Sequence, residues 1–142
     1  MMTKDLVTWE VPMIRTPAPK RPTNSELAIL RILWEKGPST VRQVLAELNQ
    51  DRATGYTTAL KMMQIMTEKG LVERDKSARP QIYRPRLSRE QTERQLVRDL
   101  LERAFAGSAK RLVLQALAVK KASAEEMAEI EKLLNKLEEE KQ

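Results

Sequence analysis

The segment GYTTALKMMQIMTEKGLVERDKSARPQIYRP, residues 55–85, decides the fold. Its first half predicts a helix over residues 56–69, and Gly70 ends it. Apolar residues recur along one face of that helix at i, i+3, i+4 and i+7: Ala59, Met62, Met63 and Met66. Its second half predicts a β-hairpin, because the short extended runs 71–74 and 81–84 flank a charged, turn-prone stretch.

Two more helices are predicted upstream of this segment. Each opens with the spacing of a capping box, in which a Thr and a Glu or Gln three residues later satisfy backbone N–H groups: Thr23 with Glu26, and Thr40 with Gln43. The first helix ends at Gly37, and the second covers about 41–49. Three helices followed by a hairpin are the order of a winged helix-turn-helix, which we assign to residues 23–86.

Residues 87–142 are predicted to be helical throughout. Two further capping boxes open helices here: Ser88 with Gln91, and Ser123 with Glu126. Gly107 interrupts the apolar pattern between them, so we expect helices near 89–105, 109–119 and 124–140. The predicted fold class is mainly α, a winged helix-turn-helix followed by C-terminal helices.

The C-terminal helices carry apolar stripes that a lone helix cannot bury. The stripes comprise Leu96, Leu100, Leu101 and Phe105, then Leu112, Leu114 and Leu117, and finally Met127, Ile130, Leu134 and Leu137. Packing onto the winged helix is one way to cover them. The charged outer faces and the break at Gly107 favour pairing with a second copy instead, so residues 87–142 are predicted to be a dimerisation domain.

Composition narrows the function. The chain has 26 Lys and Arg against 20 Asp and Glu, and the net charge of +6 favours an anionic partner such as nucleic acid. It contains no Cys and no His, which excludes disulfides, His-dependent triads and zinc sites of the Cys/His kind. No Gly-rich phosphate loop or metal-binding aspartate pair is present, so we expect no enzyme, no catalytic residue, no cofactor and no metal.

The N-terminal residues 1–22 are predicted to be a flexible arm, because prolines interrupt a stretch without periodicity. Asp5 and Glu10 prevent an apolar signal-peptide core, and no run approaches the ~18 apolar residues of a spanning helix. We therefore expect a cytoplasmic protein without membrane insertion. Two other roles for the arm stay open: phosphate contacts by Lys20 and Arg21, or docking of Trp9 on a partner.

The polar face of the 56–69 helix is the candidate interface. Opposite the methionines it carries Thr57, Thr58, Lys61 and Gln64. Threonine and lysine early in a recognition helix suit base edges in a major groove. Further residues are expected to contact phosphates: Lys76 and Arg79 in the hairpin, with Arg42, Arg52 and Tyr56 near the helix starts. The alternative for each of these side chains is an ordinary solvated surface.

Several motifs together resemble the penicillinase-repressor and copper-repressor family. They are ELAILRILW at 26–34, GYTT at 55–58, EKGLV at 68–72, IYRP at 82–85, FAGS at 105–108 and LVL at 112–114. The resemblance implies a winged-helix transcriptional repressor that dimerises through its C-terminal helices and binds a palindromic operator in double-stranded DNA. It also implies that Thr58 lies near the start of the recognition helix and that Thr57 and Lys61 lie where operator contacts are made.

Two departures from that family bear on regulation. Copper-responsive members carry a C-terminal cysteine cluster, and without cysteine this chain cannot use that mechanism. Penicillinase-type members are cut by a membrane sensor metallopeptidase at an Asn-Phe bond, where this chain has Gln115-Ala116. A metallopeptidase partner is therefore implied by the resemblance alone.

Two other function classes stand beside the repressor. A winged-helix module could bind protein through the same helix, with the basic hairpin incidental; the salt dependence of binding to DNA separates the two. An enzyme acting on nucleic acid would need metal-dependent carboxylate chemistry, which the sequence does not display.

Overall fold

The computed structural model describes residues 21–50 and 53–141. Most of the predicted arm, with Trp9 and Lys20, and the predicted phosphate contact Arg52 therefore lie outside the described residues. The elements are α1 (Asn24–Lys36), α2 (Val41–Leu48), α3 (Tyr56–Glu68), β1 (Val72–Asp75), β2 (Ile82–Pro85), α4 (Arg89–Ala104), α5 (Ala109–Val119) and α6 (Ala124–Glu140). This order confirms the predicted class, a winged helix followed by C-terminal helices.

Local capping explains where the helices begin. All four predicted capping boxes form, at Thr23 with Glu26, Thr40 with Gln43, Ser88 with Gln91 and Ser123 with Glu126. In each box the side-chain oxygen of the first residue accepts from a backbone N–H one turn later, and the Glu or Gln accepts from the backbone at the start. Both strands start one residue later than the sequence predicted.

The core lies between α1, α2, α3 and the hairpin. Ala59, Met63 and Met66 are fully buried in it and Met62 is half-buried, which confirms the predicted inner face of α3. The other buried apolar residues are Ile29, Leu30, Leu33, Val41, Val44, Leu48, Leu71, Val72 and Tyr83. Because α3 is fixed by its methionine face, its opposite face must point away from the core.

A tight turn joins α3 to the hairpin. Gly70 has φ 80°, in the left-handed region that glycine adopts without strain. Its N–H donates to the Thr67 carbonyl at 3.1 Å, and the Leu71 N–H donates to the Met66 carbonyl at 2.9 Å. These two bonds form a Schellman motif, so the chain leaves α3 directly into β1.

The hairpin gains a third short partner from the segment before α2. Ser39 and Tyr83 form an isolated antiparallel bridge, with N–H to carbonyl distances of 2.9 and 2.8 Å. β1 and β2 themselves pair antiparallel, with Val72 opposite Pro85 and Asp75 opposite Ile82. The bridge ties the segment before α2 to β2, which the sequence pattern did not predict.

The chain divides by its contacts into two compact units, and the division falls after Leu96, inside α4. The first two turns of α4 pack on α1 within the first unit. Trp34 Nε1 donates to the Leu87 carbonyl at 3.0 Å, the Arg89 guanidinium lies 5.8 Å from the Trp34 ring centroid, and Thr92 is buried. These contacts anchor the start of α4 to the winged helix.

The second unit comprises the rest of α4 with α5 and α6. None of its described residues, 97–141, is fully buried, and many large apolar side chains are exposed. They are Val97, Leu100, Val113, Leu114, Val119, Met127, Leu133, Leu134 and Leu137. Across residues 21–50 and 53–141, no helix combines the length and apolar character needed to span a bilayer.

Candidate nucleic-acid interface

The outward face of α3 presents the four residues predicted to contact bases. Thr57, Thr58, Lys61 and Gln64 are all exposed. At about 100° per residue they span an arc of about 120°, centred on Lys61 and turned about 160° from the buried Met63. A hydroxyl, a long amine and an amide on one convex helix face provide both donors and acceptors for the edges of base pairs.

The start of α3 is open to an anion. Its N-cap, Gly55, makes no side-chain capping bond. The residue before it is held by the preceding turn, because the Thr54 N–H donates to Asn49 Oδ1 at 2.7 Å. No side chain caps the first backbone N–H groups of the helix, and the positive end of the helix dipole lies at the same place, an arrangement that suits a phosphate oxygen.

Arg42 and Tyr56 were predicted as separate phosphate contacts, and the structure brings them together. The Arg42 guanidinium lies 4.8 Å from the centroid of the Tyr56 ring, a cation–π distance. Both side chains line a cleft of about 230 Å³ with Pro80, Gln81 and the buried Tyr83. One exposed surface thus joins the starts of α2 and α3 to the start of β2 and the turn before it.

The tip of the wing is ordered by its own side chains. The buried Asp75 carboxylate accepts from the Ser77 N–H at 2.9 Å and from the Ser77 hydroxyl at 2.7 Å. Arg79 Nη1 donates to the carbonyls of Lys76 and Ala78 at 2.6 and 2.8 Å. Lys76 and Arg79 are both exposed, so the turn holds two positive charges at the surface while Arg79 also shapes the loop.

A charged contact fixes α3 from its far end. Lys69, which caps α3, donates from Nζ to Oε1 of the buried Glu26 in the first turn of α1, at 2.6 Å. Burial raises the pKa of the Glu26 carboxyl, but the hydrogen bonds from Lys69 and Thr23 outweigh it, and the pKa lies below its ordinary value. The carboxylate stays ionised at neutral pH and holds the outward face of α3 in place.

The family model for the penicillinase repressor matches residues 22–136. The chain belongs to the penicillinase repressor family. The match spans the winged helix and most of the C-terminal helices, and it confirms the resemblance drawn from the motifs. Members of this family are transcriptional regulators rather than enzymes. No curated protein matches the chain.

In this member of the penicillinase repressor family, all but one of the residues predicted to dimerise fall into two groups by their exposure. Leu100, Leu114, Met127, Leu134 and Leu137 are exposed, and Leu101, Phe105, Leu112, Leu117 and Ile130 are half-buried within the second unit. Leu96 differs from both, because it lies in the first unit beside Leu27 and Trp34, around a cavity of about 260 Å³.

Ile65 is the residue of this interface that the sequence argument missed. It is 38% exposed and lies four residues after Lys61, on the same face of α3. By residue type an isoleucine in an amphipathic helix belongs to the buried face, so its type alone does not point to the interface. The helical period alone could have found it, since position 65 lies well away from positions 59, 63 and 66 around the helix axis.

Proposed function

We propose that this chain is a sequence-specific transcriptional repressor that binds operator DNA as a homodimer, with α3 in the major groove. The observation that carries the proposal is the polar, exposed face of α3, set directly opposite a buried methionine face within a fold of a repressor family. In helix-turn-helix proteins the second helix of the motif enters the groove. Here that helix is α3.

Each residue of the interface has a role in this proposal. Thr57, Thr58, Lys61 and Gln64 contact base edges and set sequence preference. Phosphate contacts come from Arg42 and Tyr56 at the helix starts and from Lys76 and Arg79 at the wing tip. Arg42 stacked on Tyr56 is already oriented for such a contact, so less side-chain entropy is lost on binding.

The exposed apolar side chains of the second unit support the proposed dimerisation. Exposed leucines such as Leu114 and Leu134, at 54% and 58% exposure, remain in water unless a second surface covers them. A second copy brings the same surface and forms a closed two-fold pair. Two recognition helices then meet two inverted half-sites, which is why the proposed operator is palindromic.

The family also suggests how repression ends, and we extend the proposal to a membrane sensor metallopeptidase as a partner. The matching bond, Gln115-Ala116, lies in the middle of α5, and both residues are exposed. Incubation of the purified chain with such a metallopeptidase, followed by mass spectrometry, tests the partnership. A cut within α5 supports it, and an intact chain with an active protease contradicts it.

Selection from a random DNA duplex pool tests the function itself. Wild-type protein should enrich a sequence with inverted half-sites, and the logarithm of its affinity should fall linearly with the logarithm of salt, at a slope of about −0.9 per neutralised phosphate. Enrichment of no sequence, with weak binding insensitive to salt, would contradict the proposal and favour a winged-helix module that binds protein.

A further inference from the structure

The first unit keeps nearly all its large apolar side chains away from water. Among its described residues, 21–50 and 53–96, only two large apolar side chains are exposed: Tyr56 at 40% and Ile65 at 38%. Both lie on α3. The Tyr56 ring has a partner, the Arg42 guanidinium at 4.8 Å. Ile65 thus stands out as an apolar side chain in the middle of a polar face.

The position of Ile65 is central to the interface. At about 100° per residue it lies about 40° from Lys61 and about 20° from Thr58 around the helix axis. The core does not require it, because Ala59, Met63 and Met66 already form the fully buried face of α3. Ile65 is neither one of the core residues nor one of the partly buried residues packed against them, and its exposed part is in unfavourable contact with water.

One group in a DNA major groove matches an apolar side chain. The C5-methyl of thymine is the only apolar substituent that base edges display there, while cytosine carries a hydrogen at C5. We propose that Ile65 contacts a thymine methyl and so selects thymine at one position of each half-site. The inference rests on the proposed DNA binding by α3, and it assigns a specificity-determining residue within it.

Neighbouring side chains make this contact selective. Lys61 and Gln64 can donate to acceptors on adjacent base pairs, but the Ile65 side chain has no polar atom to offer. A cytosine facing Ile65 carries only a hydrogen at C5, so it lacks the methyl that the isoleucine contacts, and that lost apolar contact disfavours it. Thr58, two helical turns earlier on nearly the same line, adds a second methyl-bearing side chain with a hydroxyl.

Replacing thymine by deoxyuridine tests the contact, because the two bases differ only by the methyl. The probe is the duplex enriched by wild-type protein, with each thymine exchanged singly for deoxyuridine in both half-sites. Wild-type affinity should fall at one symmetric position by about fourfold per half-site, the worth of one buried methyl-sized group. Ile65→Ala should remove that sensitivity, so that thymine and deoxyuridine duplexes bind alike at that position.

Gln64→Ala is the matched control, since it shortens the neighbouring exposed side chain on the same helix. It should lower affinity and keep the preference for thymine over deoxyuridine at the Ile65 position. Thermal unfolding of both variants should match wild type, because both residues are exposed.

The outcomes separate the inference from the function on which it rests. An enriched duplex whose deoxyuridine substitutions affect wild type and Ile65→Ala equally at every position overturns the Ile65 contact and leaves DNA binding intact. A consensus without thymine in its half-sites does the same. Failure to enrich any duplex overturns both.

Discussion

Lys69 Nζ lies 2.6 Å from Glu26 Oε1 and joins the end of α3 to the first turn of α1. The same Glu26 oxygen accepts from the Thr23 backbone N–H at 2.9 Å, so one carboxylate both caps α1 and anchors α3. It holds in place the helix that we propose to enter the major groove. Its protonation should therefore weaken the winged helix.

Stability should depend on pH through Glu26. Its pKa is lowered in the folded protein, so its contribution is complete above the ordinary value of 4.5 and is lost as pH falls through the folded pKa. Glu26→Gln should lower the free energy of unfolding at pH 7 by about 1.5–3 kcal/mol, the range for a hydrogen bond to a charged group. Urea titrations from pH 7 to pH 3 should show the gap between the two proteins closing.

Glu35→Gln is the control for that titration, because Glu35 is an exposed acid on the same helix. It should change stability little at either pH. A Glu26→Gln deficit that stays constant from pH 7 to pH 3 would show that the ion pair with Lys69 does not stabilise the fold.

Trp34 should anchor the start of α4 through its indole N–H, which donates to the Leu87 carbonyl at 3.0 Å. Trp34→Phe keeps an aromatic ring and removes the donor, so it should destabilise the first unit by about 1 kcal/mol.

A shortened chain ending at residue 96 should melt at a higher temperature than one ending at residue 86, which lacks Leu87, Arg89 and Thr92. Equal melting temperatures for the two chains would contradict this anchor.

Lys61 and Arg79 should affect DNA binding differently. Lys61→Ala should weaken binding to the enriched duplex by about 1–3 kcal/mol and relax base preference, because we propose that Lys61 contacts base edges. Arg79→Ala should weaken binding to enriched and scrambled duplexes alike, since it removes the proposed phosphate contact and two hydrogen bonds of the wing turn. Titrating each variant with the enriched and the scrambled duplex at one salt concentration measures these affinities. Equal losses on both duplexes for Lys61→Ala would reassign Lys61 to the phosphates.

The apolar surface of α6 should hold the dimer together. Leu134 is 58% exposed in a single copy, and Leu134→Glu would place a charge where we propose that a second copy packs. Analytical ultracentrifugation should show that the Leu134→Glu variant is a monomer. Lys132→Gln, which changes the net charge by the same amount about 160° away around the helix, should remain a dimer. If both variants were monomers, the change in net charge would explain the dissociation, and the leucine surface would not be needed to hold the dimer.

The features that could be predicted from the sequence are those whose interacting residues lie close together along the chain. Capping boxes such as Thr40 with Gln43 are encoded within one turn, so the helix starts followed directly from local pattern. The inner face of α3 followed from its period for the same reason. The Ser39–Tyr83 bridge and the Trp34–Leu87 bond join residues more than 40 positions apart, and no local pattern specifies such partners.

The candidate site shows the same limit. Residue types predicted the exposed face of α3, but the stacking of Arg42 on Tyr56 depends on how α2 and α3 pack. The two hydrogen bonds that Arg79 donates to carbonyls of its own turn depend on the loop conformation. Ile65 was accessible to sequence reasoning, yet an apolar residue in an amphipathic helix is assigned to the core by default.

The spacing of the two half-sites tests the central claim most directly. The full chain is titrated against the enriched duplex and against the same duplex with five base pairs inserted between half-sites, which turns one site to the opposite side of the DNA. A dimer that places one α3 in each half-site should lose affinity by about 10²–10⁴, because the second encounter is no longer effectively intramolecular. Equal affinity for the two duplexes would contradict a homodimer that recognises both half-sites through α3.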